Sequence, residues 1–181
     1  FIYHKNNVCL YVLVYVDDII FTRFDSSSID AFITNISKRF FLEDLGPLTY
    51  FLGVEVTPTT SGLHLTQAKY VTNILTRYNM ADAKPMSTPL NTENKLDRQL
   101  DQPVYDESNY RAIVGSLHYL SLTSPDIAFP VNKLAPFLSH PTSDHSTACK
   151  RVLRYLVGTC NHCSRVKRSS TIPLHPYCDA H

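Results

Sequence analysis

Leu13-Val14-Tyr15-Val16-Asp17-Asp18-Ile19-Ile20 sets two adjacent carboxylates inside an otherwise apolar run. The run before them, Val8 to Val16, is rich in Val, Leu and Tyr and too short for a typical helix. Ile19-Ile20-Phe21 follows at once. Two short apolar runs split by an acidic pair read as a buried β-hairpin with Asp17 and Asp18 near its turn. Burying an uncompensated ion costs several kcal/mol, and two like charges cost more. The pair therefore sits at a solvated tip, takes protons, or is held by divalent cations. Asp is also simply a good turn former. Hard cations favour carboxylate oxygen on a rigid turn, and two of them about 3.5–4 Å apart can serve nucleotidyl transfer.

Outward from this stretch, Asp25 and Ser26 to Ser28 offer N-cap side chains to a helix with Ile29, Phe32, Ile33 and Ile36 on one face. Tyr50 to Thr57 reads as a strand, 58–62 as a turn, and Leu63 to Thr66 as a second strand. Thr66 can cap the next helix, whose core face is Val71, Ile74, Leu75 and Tyr78. From Met80 to Pro103 a polar stretch punctuated by Pro85, Pro89 and Pro103 reads as a linker. Helical patterns follow. Tyr110, Ile113, Val114 and Leu117 form one face, Pro125 suits the first turn of a second helix, and Cys149, Val152, Leu153 and Leu156 line a third, stopped by Gly158.

A hydrophobic fraction of 44% over 181 residues is enough for a buried core and argues against disorder. The net charge of +1 decides nothing about partners, but six basic and no acidic residues lie between His145 and Cys178. Five cysteines exclude a fully paired disulfide scaffold and suit a reducing compartment. The apolar run to Val16 is half the length of a membrane span. Phe1-Ile2-Tyr3 reads as the interior of a longer polypeptide.

The stretch around Tyr15-Val16-Asp17-Asp18 resembles the Tyr-x-Asp-Asp motif of reverse transcriptases in the form found in copia-type retrotransposon Pol polyproteins. Further blocks resemble the same family in the same order. They begin with Leu45 to Val56, Leu65 to Tyr70 and Ser87 to Leu90. Tyr110 to Gly115 with Leu117 to Leu120, Ser124 to Ile127, and Lys150 to Leu156 with Gly158-Thr159 complete them.

The resemblance implies an RNA-directed DNA polymerase fragment of α+β class. Residues 1–80 would be a partial palm with antiparallel sheet, 81–105 a linker, 106–176 a mostly helical thumb and connection, and 177–181 the start of RNase H. Asp17 would be a metal ligand for Mg²⁺ or Mn²⁺ and Asp18 a supporting carboxylate. Tyr15 would orient the turn and Val16 would meet the primer end or incoming nucleotide. Leu52, Gly53 and Glu55 would belong to a primer-gripping hairpin, although they also read as ordinary strand residues with Gly53 at a close approach. Asp179 would open the RNase H carboxylate set. The implied partners are an RNA template, a DNA primer, deoxynucleoside triphosphates and the rest of the Pol polyprotein, with no membrane. The implied location is cytoplasmic, in a virus-like particle for the intact element. A third metal-binding Asp and the fingers would lie upstream of Phe1.

This sequence departs from the family at Arg23, Ser124 and His181, and at Pro130 and Pro136, which interrupt an apparent helix. Interior helix prolines cost about 3 kcal/mol each, so they favour the alternative of a catalytically dead remnant that at most binds nucleic acid. Lys150, Arg151 and Arg154 lie on one side of a helix, where they read either as phosphate contacts or as a solvated face. Cys160, Cys163, His175 and Cys178 have the outline of a zinc site, but the family has no zinc there, and none is expected. His118 and Tyr119 are read as helix residues without a chemical role.

Overall fold

The computed structural model describes residues 1–5, 8–23, 29–91, 96 and 106–168. The chain divides into two compact units, Phe1–Leu48 and Thr49–His181. It is α+β, as expected. The expected grouping of residues 1–80 does not coincide with this division, because the helix after Thr66 packs into the second unit.

In the first unit β1 (Ile2–Lys5), β2 (Val8–Tyr15) and β3 (Asp18–Arg23) form an antiparallel sheet in the order β1-β2-β3. The pairing of Leu10 with Arg23 through to Tyr15 with Asp18 sets the faces. Leu10, Val12, Val14, Ile19 and Phe21 share one face, and Tyr11, Leu13, Tyr15, Asp18 and Ile20 share the other. Helix α1 (Ile29–Ser37) packs against β3, with Phe32 meeting Phe21 edge to face at 5.5 Å. The hairpin is therefore present, but its expected burial is not. Within this unit α1 covers only the Phe21 face, and Tyr11, Leu13 and Tyr15 remain about half exposed on the other. The N-cap candidates Asp25 and Ser26 to Ser28 lie outside the described residues.

In the second unit β4 (Tyr50–Phe51), β5 (Val54–Thr59), β6 (Gly62–Thr66) and β7 (Ser164–Lys167) form a four-stranded antiparallel sheet in chain order. Tyr50 to Thr57 is thus not one strand, since the chain reverses at Leu52-Gly53. Nor does the next turn start at Pro58. Pro58 pairs with Leu63 inside the ladder, beyond the end of short β4, where its missing N–H has no ladder partner to lose among the described residues. The strand β7 was not expected. It is brought to β6 by the helix before it, across about a hundred residues of chain, and local pattern carries no such signal.

Four helices build the core: α2 (Ala68–Arg77), α3 (Glu107–Leu120), α4 (Ala128–Leu134) and α5 (Ser143–Thr159). The expected faces are buried on α3 (Tyr110, Ile113, Val114 and Leu117), on α5 (Cys149, Val152, Leu153 and Leu156) and, for Val71, Ile74 and Leu75, on α2, whereas Tyr78 follows α2 as its C-cap and is only partly buried. Thr66 is not the N-cap of α2, a position held by Gln67, but from one residue earlier its hydroxyl accepts from Ala68 N–H at 3.2 Å. Gly158 does not stop α5. It lies in the last helical turn, where a Cβ would come within 3.2 Å of Pro85.

The two prolines are accommodated. Pro130 is the third residue of α4, where its N–H would have no intrahelical partner, and Pro136 lies at the start of a separate 3-10 turn, Ala135–Phe137. The full penalty of an interior helix proline does not apply to either.

Burial sets the protonation of three core groups. Tyr110 donates to the Leu134 carbonyl at 2.9 Å, and desolvation raises its phenol pKa. Burial pushes the Cys149 thiol up to about 12, which makes it an inert core side chain. His145 stacks on Phe137 at 3.9 Å between centroids, and its Nδ1 accepts from the Thr142 backbone N–H at 3.0 Å. A ring nitrogen that accepts from a backbone N–H cannot carry a proton. Desolvation accordingly lowers the His145 pKa, and the smaller effect of Asp144 opposes it. Above the ordinary imidazole value of about 6.5 neither folded nor unfolded chain holds this proton. As pH falls below that value the unfolded chain protonates first, so stability is lost toward the lowered folded value. Melting temperature should therefore drop between pH 7.5 and 5, and His145→Gln, which keeps a helix-capping acceptor, should flatten that drop. Equal pH slopes for both proteins would exclude His145 as the cause.

Candidate active site

Tyr15 pairs with Asp18, which leaves Val16 and Asp17 as a two-residue turn. Asp17 and Asp18 are both exposed, so the solvated tip is the way this structure avoids burying the pair. Val16 holds φ at +49° and is 80% exposed. A β-branched residue at positive φ is a true outlier, costing roughly 1–2 kcal/mol. Exposure means that side-chain packing does not repay this cost within the unit. What the conformation achieves is geometric. It closes the turn in two residues and fixes both carboxylates on the end of a ladder.

Carboxylate oxygen on a rigid turn suits a hard divalent cation in kind. It does not suffice in number. Among the described residues no group of three or more His, Cys, Asp or Glu side chains could hold a metal ion. Asp17 and Asp18 can therefore make only part of a two-cation site. Cys160 is half-buried and Cys163 exposed, whereas His175, Cys178 and Asp179 lie outside the described residues.

The second candidate set stands in the other unit. Leu52 and Gly53 both hold positive φ, +46° and +77°, which defines a type I′ turn between Phe51 and Val54. Gly53 meets the first demand cheaply and also a second one. A Cβ there would sit 2.9 Å from the Tyr119 hydroxyl, whose ring packs edge to face on Tyr70 at 5.0 Å. Tyr119 carries no chemistry in the sequence reading, but it has a packing role, because it covers this turn. Only the return of α3 onto the sheet reveals that. Glu55 is not at the turn. It lies one residue into β5, paired with Tyr50 and Thr66.

Lys150, Arg151 and Arg154 do lie on one face of α5, but not as a free cationic face. Arg151 donates to Thr88 Oγ1 at 2.8 Å and Arg154 Nε donates to the Lys84 carbonyl at 2.7 Å. Met86 N–H completes the attachment by donating to the Arg154 carbonyl at 3.2 Å. Residues 84–88, read as part of a linker, are thus strapped across α5. Only Lys150 of the three is fully exposed.

Residues 1–92, just over half the chain, match the model of the family described as reverse transcriptase (RNA-dependent DNA polymerase). The chain belongs to the reverse transcriptase family, in the form carried by copia-type Pol polyproteins. It is 43% identical over 180 residues to the retrovirus-related Pol polyprotein from transposon RE1 of Arabidopsis thaliana, and 37% identical over 187 residues to that from transposon TNT 1-94 of Nicotiana tabacum. The match takes in 99% and 98% of this chain and 12% and 14% of those polyproteins. An uncharacterized mitochondrial protein of Arabidopsis thaliana is 41% identical over 172 residues, covering 94% of this chain and 71% of its own length. No solved structure matches. Among the described residues no helix is long and apolar enough to cross a membrane.

The turn at Gly53 offers a direct check on its geometry. Gly53→Ala should destabilise the chain by about 1–2 kcal/mol, from the positive φ and the crowding of Tyr119 together. In a Tyr119→Phe background, where the nearest atom is removed, the same change should cost less. Thermal unfolding of the four proteins gives the coupling, and strict additivity would mean that Tyr119 does not constrain this turn.

Proposed function

We propose that this chain is the part of an RNA-directed DNA polymerase that carries two of the three carboxylates of its active site, the grip on the primer end, and a phosphate contact downstream. The observation that carries this reading is the pair Asp17-Asp18 on a two-residue hairpin turn held by Val16 at positive φ. Strain of that kind collects at functional sites, where the surrounding structure imposes it.

In the intact polymerase Asp17 is a metal ligand and Asp18 a supporting carboxylate nearer the primer. Bound Mg²⁺ or Mn²⁺ supplies activation of the primer 3′-hydroxyl and neutralises charge on the leaving pyrophosphate. This chain contributes positioning. Asp17 and Asp18 present fixed oxygens, and Tyr15 anchors the last ladder pair beside them. Val16, at the exposed apex, meets the primer terminus or the incoming nucleotide. The turn of Leu52 and Gly53, with Glu55 behind it, holds the primer strand by backbone contact. Lys150, Arg151 and Arg154 meet phosphate. The partners are an RNA template, a DNA primer, deoxynucleoside triphosphates and the remainder of the polyprotein, which also supplies the third carboxylate and the RNase H domain begun at Asp179. The open apolar face of Tyr11, Leu13 and Tyr15 gives that remainder a surface to cover. The intact element works in the cytoplasm, in a virus-like particle. Accommodated prolines at 130 and 136 remove one reason for preferring a dead remnant.

Primer extension on a homopolymer template tests this reading. Asp17→Asn in a reconstructed intact polymerase should lower extension by several orders of magnitude. The isolated chain should extend nothing, because two carboxylates without the third cannot hold two cations in line with an α-phosphate, and the positioning that supplies much of the rate is missing. Full activity of the Asp17→Asn polymerase would end the assignment, and Asp17-dependent extension by the isolated chain would overturn the account of the missing ligand.

A further inference from the structure

We propose that the cavity between α5 and the strap of residues 80–91 seats a single phosphate group with its ester carbon on an apolar wall. The cavity holds about 300 Å³, the lower end of the usual range of roughly 300–1,000 Å³ for ligand pockets. Lys150, Arg151 and Arg154 line it, with Thr147 beside them on the same helix face and Met86 and Leu90 opposite. Among the described residues no Asp or Glu lines it, and none of the three cations forms an ion pair.

Three cations on one helix face repel one another, and like charges four residues apart, as at Lys150 and Arg154, destabilise a helix. Neutral acceptors hold two of them in place. Thr88 Oγ1 takes one Arg151 N–H and the Lys84 carbonyl takes Arg154 Nε–H. A guanidinium has five donors in a fixed fork, so each arginine is oriented by one bond and keeps others to offer. Arg151 Nε is buried with no acceptor among the described residues, so a neighbouring anion would supply a partner that those residues do not. Planar forks preset in this way suit tetrahedral oxyanions. The thioether of Met86 and the side chain of Leu90 suit the carbons of a sugar rather than a second charge. The seat deepens the phosphate contact proposed above by confining it to one bounded position instead of a helix face.

Titration of the full 181-residue chain with inorganic phosphate, followed by side-chain resonances of Lys150 and the arginines, tests the seat. Saturation at one equivalent is expected. Lys150→Gln should weaken it about tenfold, the loss of one charge-assisted contact. Thr147→Phe, an exposed position that fills the cavity, should abolish it with little change in melting. Two further arms separate the sources of phosphate. A short oligonucleotide with a 5′-phosphate that competes while its 5′-hydroxyl counterpart does not assigns the seat to a strand end. Equal competition by both assigns it to the backbone. In parallel, Lys150→Gln should reduce the slope of log affinity for duplex against log salt by about one. Linear, unsaturable shifts alike in all three proteins would overturn the seat, and if the duplex slope still fell, the phosphate-contact reading would stand without it. An unchanged duplex slope together with unsaturable shifts would sink both.

Discussion

The apolar side of α5 is the surface on which the second unit is assembled. Cys149, Val152, Leu153 and Leu156 are all but fully buried, and α2, α3 and α4 each pack against this helix. Close packing of this kind makes the loss of a single leucine worth about 2–5 kcal/mol. The outer side of the same helix takes the strap, and its C-terminal end delivers β7 to the sheet. Helical core and sheet are thereby tied in one body. Ser164 adds a direct tie, donating its hydroxyl to the Thr123 carbonyl, and Thr123 in turn donates to buried Gln67.

The candidate catalytic turn and the candidate primer-gripping turn are both two-residue turns with a large residue at positive φ in the first position. At Leu52-Gly53 the second glycine and the cover of Tyr119 account for the conformation. At Val16-Asp17 nothing among the described residues of the first unit does, since Val16 is exposed and no glycine follows. The difference is physical. One turn is locked by tertiary packing and the other holds strain at an open apex, where a nucleic acid or the rest of a polymerase would meet it. The chain spans about an eighth of the Pol polyproteins it resembles, which suits a hairpin whose second apolar face has no cover of its own.

On the proposed reading, the basic residues of α5 serve structure and recognition together. A guanidinium that donates to a neutral hydroxyl or backbone carbonyl keeps its charge, so strapping residues 84–88 across the helix does not consume the field of Arg151 and Arg154. It concentrates that field in a cavity. A solvated helix face would leave the same charges spread and screened.

The sequence by itself determined most of the elements and the kinship. Apolar spacing of 3.6 residues located the faces of α2, α3 and α5, because helix periodicity is a local property written in each segment. The acidic pair announced its turn because two adjacent carboxylates have few places to sit between apolar strands. Ordered blocks over the chain announced the family. Tertiary structure alone decided the rest. It brought β7 to β6 across about a hundred residues, set Tyr119 over Gly53, made Pro130 and Pro136 harmless by ending one helix and starting another, and turned a linker into a strap. These are contacts between segments far apart in the chain. Their energies depend on what is opposite, and no local pattern records the opposite side.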